Sequence, residues 1–123
     1  PELPLRKEAV AVHLTRSNPE KLGAFLGRLG PLADAAGAIY AFNTGLPAMA
    51  HVAAGGLGAF VNNYTNPWDV AAGEVLVRAC GGKVTDFEAN ELRYAAPGRM
   101  SVLASKAHPV SYTHLTLPTS DLV

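Results

Sequence analysis

The sequence predicts a layered α/β domain with a mixed, partly parallel sheet flanked by helices. Short apolar segments bounded by turn residues alternate with longer segments that carry helix start and stop signals. This alternation is typical of strands joined by crossover helices. The chain has 123 residues, of which 49% are hydrophobic, so it is long and apolar enough to bury a core. We find no internal repeat, low-complexity tract or domain boundary within the α/β pattern.

Six segments have the short apolar runs expected of strands. The first covers residues 9–15 and places Val10, Val12 and Leu14 on one face, at the two-residue period of a strand. The other predicted strands are residues 38–42, 58–62, 83–87, 91–95 and 100–105.

Two helices are predicted between the early strands. The first has Ser17 or Asn18 as its N-cap and is broken at Gly30 and Pro31, with residues 32–37 continuing as a further turn. Its apolar stripe consists of Leu22, Phe25, Leu26 and Leu29. The second helix runs from Pro47 to Ala54 and is ended by Gly55 and Gly56.

The third predicted helix covers residues 68–80. Asn66 is a good N-cap, because its side-chain oxygen can accept a free backbone N–H, and the proline after it suits the first helical position. Asp69 lies in the first turn, where the helix dipole stabilises a carboxylate. By local physics alone, Asp69 is an acid that supports its helix. Glu74 and Arg78 are spaced to pair on the outer side, and the predicted buried face consists of Ala71, Ala72, Val75, Leu76 and Ala79.

Composition argues against several classes of protein. Ten basic residues balance ten acidic ones, so no nucleic-acid polymer is expected as a partner. The most apolar stretch, residues 46–61, is too short and too rich in Gly and Ala for a convincing membrane span, so no membrane partner is expected. The single cysteine excludes an internal disulfide and favours a reducing compartment, so we expect a cytoplasmic protein. No secretory leader pattern is visible, although Pro1 is not a natural initiator.

Three other kinds of site are disfavoured. The glycines at residues 55–58 follow a predicted helix and precede a strand, the reverse of the order that a dinucleotide-binding turn requires. Cys80 ends an apolar helix and is interpreted as a small buried residue rather than a nucleophile. No ligand spacing for zinc relates the four histidines, which are His13, His51, His108 and His114.

The segment "NPWDVAAGEVLVRACGGKVTD" closely resembles the C-terminal signature of the inositol monophosphatase family, the magnesium-dependent, lithium-sensitive sugar and nucleotide phosphatases. The family pattern is an aromatic residue, Asp, small residues, an apolar helix, two small residues and a strand. Trp68, Asp69, Gly81 and Gly82 fit it. A weaker resemblance extends over roughly residues 9–105 and implies the C-terminal half of that family's fold.

The resemblance implies a substrate and metal site. At the position of Asp69 the family has an Asp that binds metal and also contacts a substrate hydroxyl, which implies Mg²⁺ as cofactor here. Thr44 and Gly45 occupy the place of family residues that meet substrate hydroxyls. Asn62 stands where the family often has an acid, seven positions before the Asp, and an amide can hydrogen-bond but supplies no charge. This departure favours a small phosphomonoester other than inositol phosphate itself.

The resemblance also implies that part of the enzyme is missing. The family's main metal cage, a Glu and a stretch like Asp-Pro-x-Asp-Gly-Thr, has no counterpart here. We therefore interpret residues 1–109 as the C-terminal domain of a phosphatase, inactive alone, with a homodimer as the candidate state of its full-length form. The alternative is a non-catalytic module that binds a sugar phosphate or a protein. Residues 110–123 resemble a translated adaptor and are predicted to be a non-native or disordered tail.

Overall fold

The structure is a computed structural model that describes residues 7–14, 20–94 and 100–107. Five strands and four helices alternate along the described parts of the chain. In order, they are β1 (Ala9–Val12), α1 (Leu22–Arg28), α2 (Gly30–Ala35), β2 (Ala38–Ala41), α3 (Gly45–Ala54), β3 (Ala59–Thr65), α4 (Pro67–Ala79), β4 (Lys83–Thr85) and β5 (Met100–Ser105).

The five strands form one mixed sheet in the order β2-β1-β3-β5-β4. Strands β2 and β3 both pair with β1 in parallel, whereas β5 pairs antiparallel with both β3 and β4. The prediction of a mixed, partly parallel sheet is therefore confirmed. The parallel half matters for function, because it brings the carboxyl ends of β1, β2 and β3 to one edge.

Each face of the sheet is covered by a pair of helices. Strand β3 shows the alternation: Ala59 and Val61 pack with the residues of α1 and α2, while Phe60 packs with those of α3 and α4. On the first face, Val10, Val12 and Leu14 join the same core, as the two-residue period predicted. The domain thus has three layers, with an apolar core on either side of the sheet.

The two helices on the second face approach each other very closely. A Cβ added to Gly73 of α4 would lie 2.5 Å from Sδ and 3.0 Å from Cβ of Met49 in α3. Only a residue without a side chain allows this separation. Because α3 follows β2 and α4 follows β3, the parallel strands on either side of β1, the close packing also holds their N-termini near each other.

The buried face of α4 differs from the predicted one. Ala71, Ala72, Val75, Leu76 and Ala79 are all exposed. The buried residues are Val70, Gly73 and Val77, which lie on one face at i, i+3 and i+7. The predicted face grouped small and apolar residues, whereas the contact with α3 selects the face that contains Gly73. The pair of Glu74 and Arg78 is confirmed, with Nε 2.8 Å from Oε2.

One prediction at the first helices was wrong in detail: Leu26 is exposed, because Phe25, Arg28 and Leu29 form the buried face there. The predicted break and further turn are confirmed, since α1 ends at Arg28 and a separate helix, α2, begins at Gly30. Pro31 lies in the first turn of α2, where a proline costs no hydrogen bond. The proposed caps, Ser17 and Asn18, lie outside the described residues.

Several predicted boundaries of helices and strands also differ from the observed ones. The helix predicted from Pro47 begins at Gly45. Residues 91–94 form no strand. The loop before them is closed by Asp86, whose carboxylate accepts hydrogen bonds from the N–H groups of Glu88 and Asn90.

Cys80 is exposed rather than buried, since it caps the end of α4. None of the described helices has the length and apolar character needed to cross a membrane.

Candidate functional site

A pocket of about 390 Å³ lies at the carboxyl edge of the parallel strands. His13 follows β1, Asn43 and Thr44 follow β2, and Thr65 ends β3. Ligand sites in open α/β sheets lie at this edge, where neighbouring connections diverge, and the volume falls within the usual range for small-molecule sites. The lining residues are His13, Asn43, Thr44, Gly45, Leu46, Pro47, Asn62, Tyr64, Thr65 and Asp69.

Two helices begin at this pocket. Thr44 is the N-cap of α3 and Asn66 is the N-cap of α4, and neither side chain makes a capping hydrogen bond. The first-turn N–H groups of a helix have no partner within the helix, and the helix dipole adds positive potential there. Two helix starts side by side make this edge of the sheet suited to an anion such as a phosphate.

Asp69 lies in the first turn of α4 and lines the pocket. Its contact with the expected cap is indirect: Nδ2 of Asn66 donates to Oδ2 of Asp69 at 3.4 Å, a long hydrogen bond. Asn66 therefore occupies the N-cap position as predicted, but its side chain points to Asp69 instead of accepting a backbone N–H. The carboxylate of Asp69 is exposed and remains available to a ligand.

Thr44 and Gly45 lie opposite Asp69 across the two helix starts. A Cβ added to Gly45 would lie 4.0 Å from the backbone oxygen of Asp69 and 4.0 Å from Cε2 of Phe60. These are ordinary contact distances, so the space would admit a methyl group. The small residue at position 45 leaves the approach to the first turn of α3 open.

Asn62 and Thr65 are the buried polar residues among the described lining of the pocket, and Asn62 has only 3% of its surface exposed. It lies on β3 opposite Val102 of β5, directly before an irregularity in which three steps along β3 match two along β5. A bulge of this kind re-aims side chains, and it lets Asn62 and Thr65 line the same pocket. Oδ1 of Asn62 accepts a hydrogen bond of 3.0 Å from the backbone N–H of Tyr64.

The sequence analysis missed His13, Asn43, Tyr64 and Thr65. Burial lowers the pKa of His13, against the smaller raising effects of a hydrogen bond with the backbone of Asn43 and of the Asp69 charge. The signal that could have found these residues is topological: three of them immediately follow or end parallel strands. Using it would have required knowing that β1, β2 and β3 are neighbours.

The four residues singled out in the sequence therefore meet in one pocket: Thr44, Gly45, Asn62 and Asp69. Among the residues that the structure describes, no group of three or more His, Cys, Asp or Glu side chains could hold a metal ion. The pocket offers one carboxylate and several neutral oxygens. This donor set suits part of a magnesium site, since Mg²⁺ takes hard oxygen ligands and keeps several waters.

The fold and the pocket define an α/β domain with a pocket at the starts of two helices, and comparison with known proteins identifies its family. The model of the inositol monophosphatase family matches residues 14–117. The chain therefore belongs to the inositol monophosphatase family.

Individual relatives agree with this assignment. A fructose-1,6-bisphosphatase/inositol-1-monophosphatase of Thermotoga maritima is 50% identical over 42 residues, which are 34% of this chain and 16% of that protein. The Nus factor SuhB of Escherichia coli K12 is 54% identical over 39 residues, which are 32% of this chain and 15% of that protein. The native structure of the extragenic suppressor protein suhB from Bartonella henselae matches with a TM-score of 0.73 at 28% identity, over 85% of this chain and 39% of that one. The matches thus span less than half the length of each relative.

Proposed function

We propose that this chain is part of a magnesium-dependent phosphomonoesterase that acts on a small sugar, inositol or nucleotide phosphate. The observation that carries the proposal is the pocket at the starts of α3 and α4, with Asp69 on its wall. Family membership supports a phosphatase in general, and the two helix starts suit the phosphate group.

Each pocket residue has a place in this proposal. The free N–H groups at the start of α3, beside Thr44 and Gly45, donate hydrogen bonds to oxygens of the substrate. The hydroxyl of Thr44 can both donate to and accept from a substrate hydroxyl. Asn62 contacts a second part of the substrate, on the β3 side of the pocket. Asp69 contributes one metal ligand and orients a substrate hydroxyl.

This chain would supply only some of the ligands of a magnesium ion. Asp69 supplies one charged oxygen, and the remaining ligands would come from the portion of the relatives that this chain does not span. When bound, the metal supplies Lewis acidity for water activation and for the leaving oxygen. We accordingly assign residues 1–109 to the C-terminal domain of the enzyme and propose that the chain alone is inactive.

The test is Asp69→Asn in the full-length protein that contains this chain. The variant keeps the shape of the side chain and removes its charge, so we expect phosphate release to fall by about 100-fold or more, with circular dichroism unchanged. The isolated 123-residue chain should release no phosphate from sugar or nucleotide monophosphates with Mg²⁺ present. A folded Asp69→Asn protein with normal turnover would return Asp69 to a helix-supporting role.

A non-catalytic module is the second candidate. Two observations favour it: the described residues offer no complete metal cluster, and one relative is named a Nus factor rather than a phosphatase. Under this alternative the pocket binds a phosphorylated ligand without turnover. Full-length protein that binds such a ligand but releases no phosphate with Mg²⁺ would select it over the enzyme.

A further inference from the structure

The orientation of the Asn62 amide is fixed by its surroundings. Because Oδ1 accepts the N–H of Tyr64, the two ends of the amide cannot be exchanged without placing two donors against each other. Among the described residues none accepts a hydrogen bond from Nδ2, although the side chain is almost entirely buried. The group that Asn62 can offer to the pocket is therefore a pair of N–H donors.

The pocket carries little fixed charge. Asp69 is the one carboxylate among its described lining residues, and the other polar side chains there are Asn, Thr, Tyr and His. Nδ2 of Asn62 is not among the fully buried polar atoms that lack a partner in the described residues, so it reaches the pocket, where a ligand or water can accept from it. Asn62 itself therefore favours an acceptor and adds no negative charge to the pocket.

We propose that Asn62 selects substrates that present a hydrogen-bond acceptor to it, above all a second anionic group such as a carboxylate or a further phosphate. The inference rests on the proposed function and names its substrate class. An acid at this position, as the family resemblance would place there, accepts from a hydroxyl and repels an anion. An amide with its oxygen occupied reverses that preference, because it can only donate.

The matched variant is Asn62→Asp. It keeps the size of the side chain, and one carboxylate oxygen can still accept the N–H of Tyr64, so the backbone at the bulge is preserved. The change replaces two donors with an acceptor that carries a negative charge. Because a buried carboxylate also carries a desolvation cost, circular dichroism is measured beside the assay to show that the variant stays folded.

The assay compares paired substrates in the full-length, magnesium-loaded protein. Gluconate 6-phosphate and sorbitol 6-phosphate differ only in a carboxylate against a hydroxymethyl group at one end. Fructose 1,6-bisphosphate and fructose 6-phosphate form a second pair, which tests a phosphate as the second anion. We expect kcat/KM of the native protein to favour the more anionic member of at least one pair, and Asn62→Asp to reduce that preference about tenfold or more.

Asn43→Asp is the control for added charge. Asn43 also lines the pocket, and its Oδ1 also accepts a backbone N–H, that of Leu14 at 3.2 Å. Unlike Asn62 it is exposed, so water screens a charge placed there. We expect Asn43→Asp to change the substrate preference far less than Asn62→Asp.

The outcomes separate the two proposals. Equal use of both members of each pair, unaltered by Asn62→Asp, would overturn the role of Asn62 and leave the phosphatase intact. Equal effects of Asn62→Asp and Asn43→Asp would also overturn it, because general charge would then explain the preference. No phosphate release from any substrate would instead remove the proposed enzyme, and the substrate class would fall with it.

Discussion

His13 places a titratable group next to the proposed metal ligand. It follows β1 directly and lies in the pocket with Asp69. Burial disfavours the imidazolium and lowers the pKa of His13, while the charge of Asp69 and the hydrogen bond with the backbone of Asn43 raise it to a smaller extent. The net direction is downward, so the folded protein holds His13 neutral to lower pH than the unfolded chain does.

This pKa shift predicts a pH dependence of stability. The unfolded chain binds a proton at His13 near pH 6.5, whereas the folded chain binds it only at lower pH. Protonation therefore favours unfolding, and the contribution of His13 to stability is lost as pH falls through the unfolded pKa. We expect the free energy of unfolding to drop more steeply between about pH 7.5 and about pH 5.5 in the native chain than in His13→Asn. Parallel curves from urea titrations would contradict the prediction.

Among the structural elements, the pair of α3 and α4 determines the shape of the site. Gly73 lies against Met49, which is fully buried, and this contact sets how close the two helices come. The pocket lies where both helices begin, so a change in their separation moves Asp69 relative to Gly45. Packing about one helical turn below the pocket thus sets its geometry.

Gly73→Ala should destabilise the domain although alanine is the better helix former. The new Cβ would lie 2.5 Å from Sδ and 3.0 Å from Cβ of Met49. Overpacking of this kind costs about 1–3 kcal/mol, which exceeds the gain in helix propensity of about 1 kcal/mol. Chemical denaturation should therefore show a net loss of stability.

Gly27→Ala is the matched control in α1, where nothing lies within 4 Å of an added Cβ. Without a clash, the propensity term alone remains, and the variant should gain up to about 1 kcal/mol. A stabilising effect of both substitutions would show that α3 and α4 are able to separate at little cost.

Much of the fold was predictable because it depends on local patterns. Residues 100–105 were predicted as a strand with its observed bounds, and the helix predicted at 68–80 is displaced by one residue. The face of α4 was not predictable in this way. Val75 and Val77 look alike in sequence, yet 67% of Val75 is exposed and Val77 is fully buried. Partners distant in the chain determine that difference.

The candidate site also contains residues that a local pattern predicts and residues that only the folded structure brings together. Asp69 was found through a signature that extends over one continuous segment, Asn62 through its offset of seven positions from Asp69 (69 − 62 = 7), and Thr44 and Gly45 through their place before the preceding predicted helix. His13 lies 56 positions away (69 − 13 = 56) and has no motif of its own. Only the parallel pairing of β1 with β3 places it in the same pocket. The roles of all these residues stay predictions until the variants are measured.

At the scale of the whole molecule, α4 presents an apolar surface outward. Trp68 is 74% exposed and Val75 67%, and Leu76, the residue after Val75, is also exposed. The matches to the relatives span less than half of their length. The described residues form three layers around the sheet, and this face of α4 has no covering layer among them.

The last prediction concerns residues 110–123, which lie outside the described part of the chain. The described apolar cores on both faces of the sheet are built from residues between Val10 and Ala104. If residues 110–123 are a non-native tail, their deletion removes no core contact, and the melting temperature should stay within about 2 °C of the native value. The family model, however, matches as far as residue 117, so a second truncation that removes only residues 118–123 separates two cases. Should the longer deletion lower the melting temperature markedly while the shorter one does not, residues 110–117 form a genuine element of the domain. Should neither deletion matter, the stability of the domain resides in the two cores.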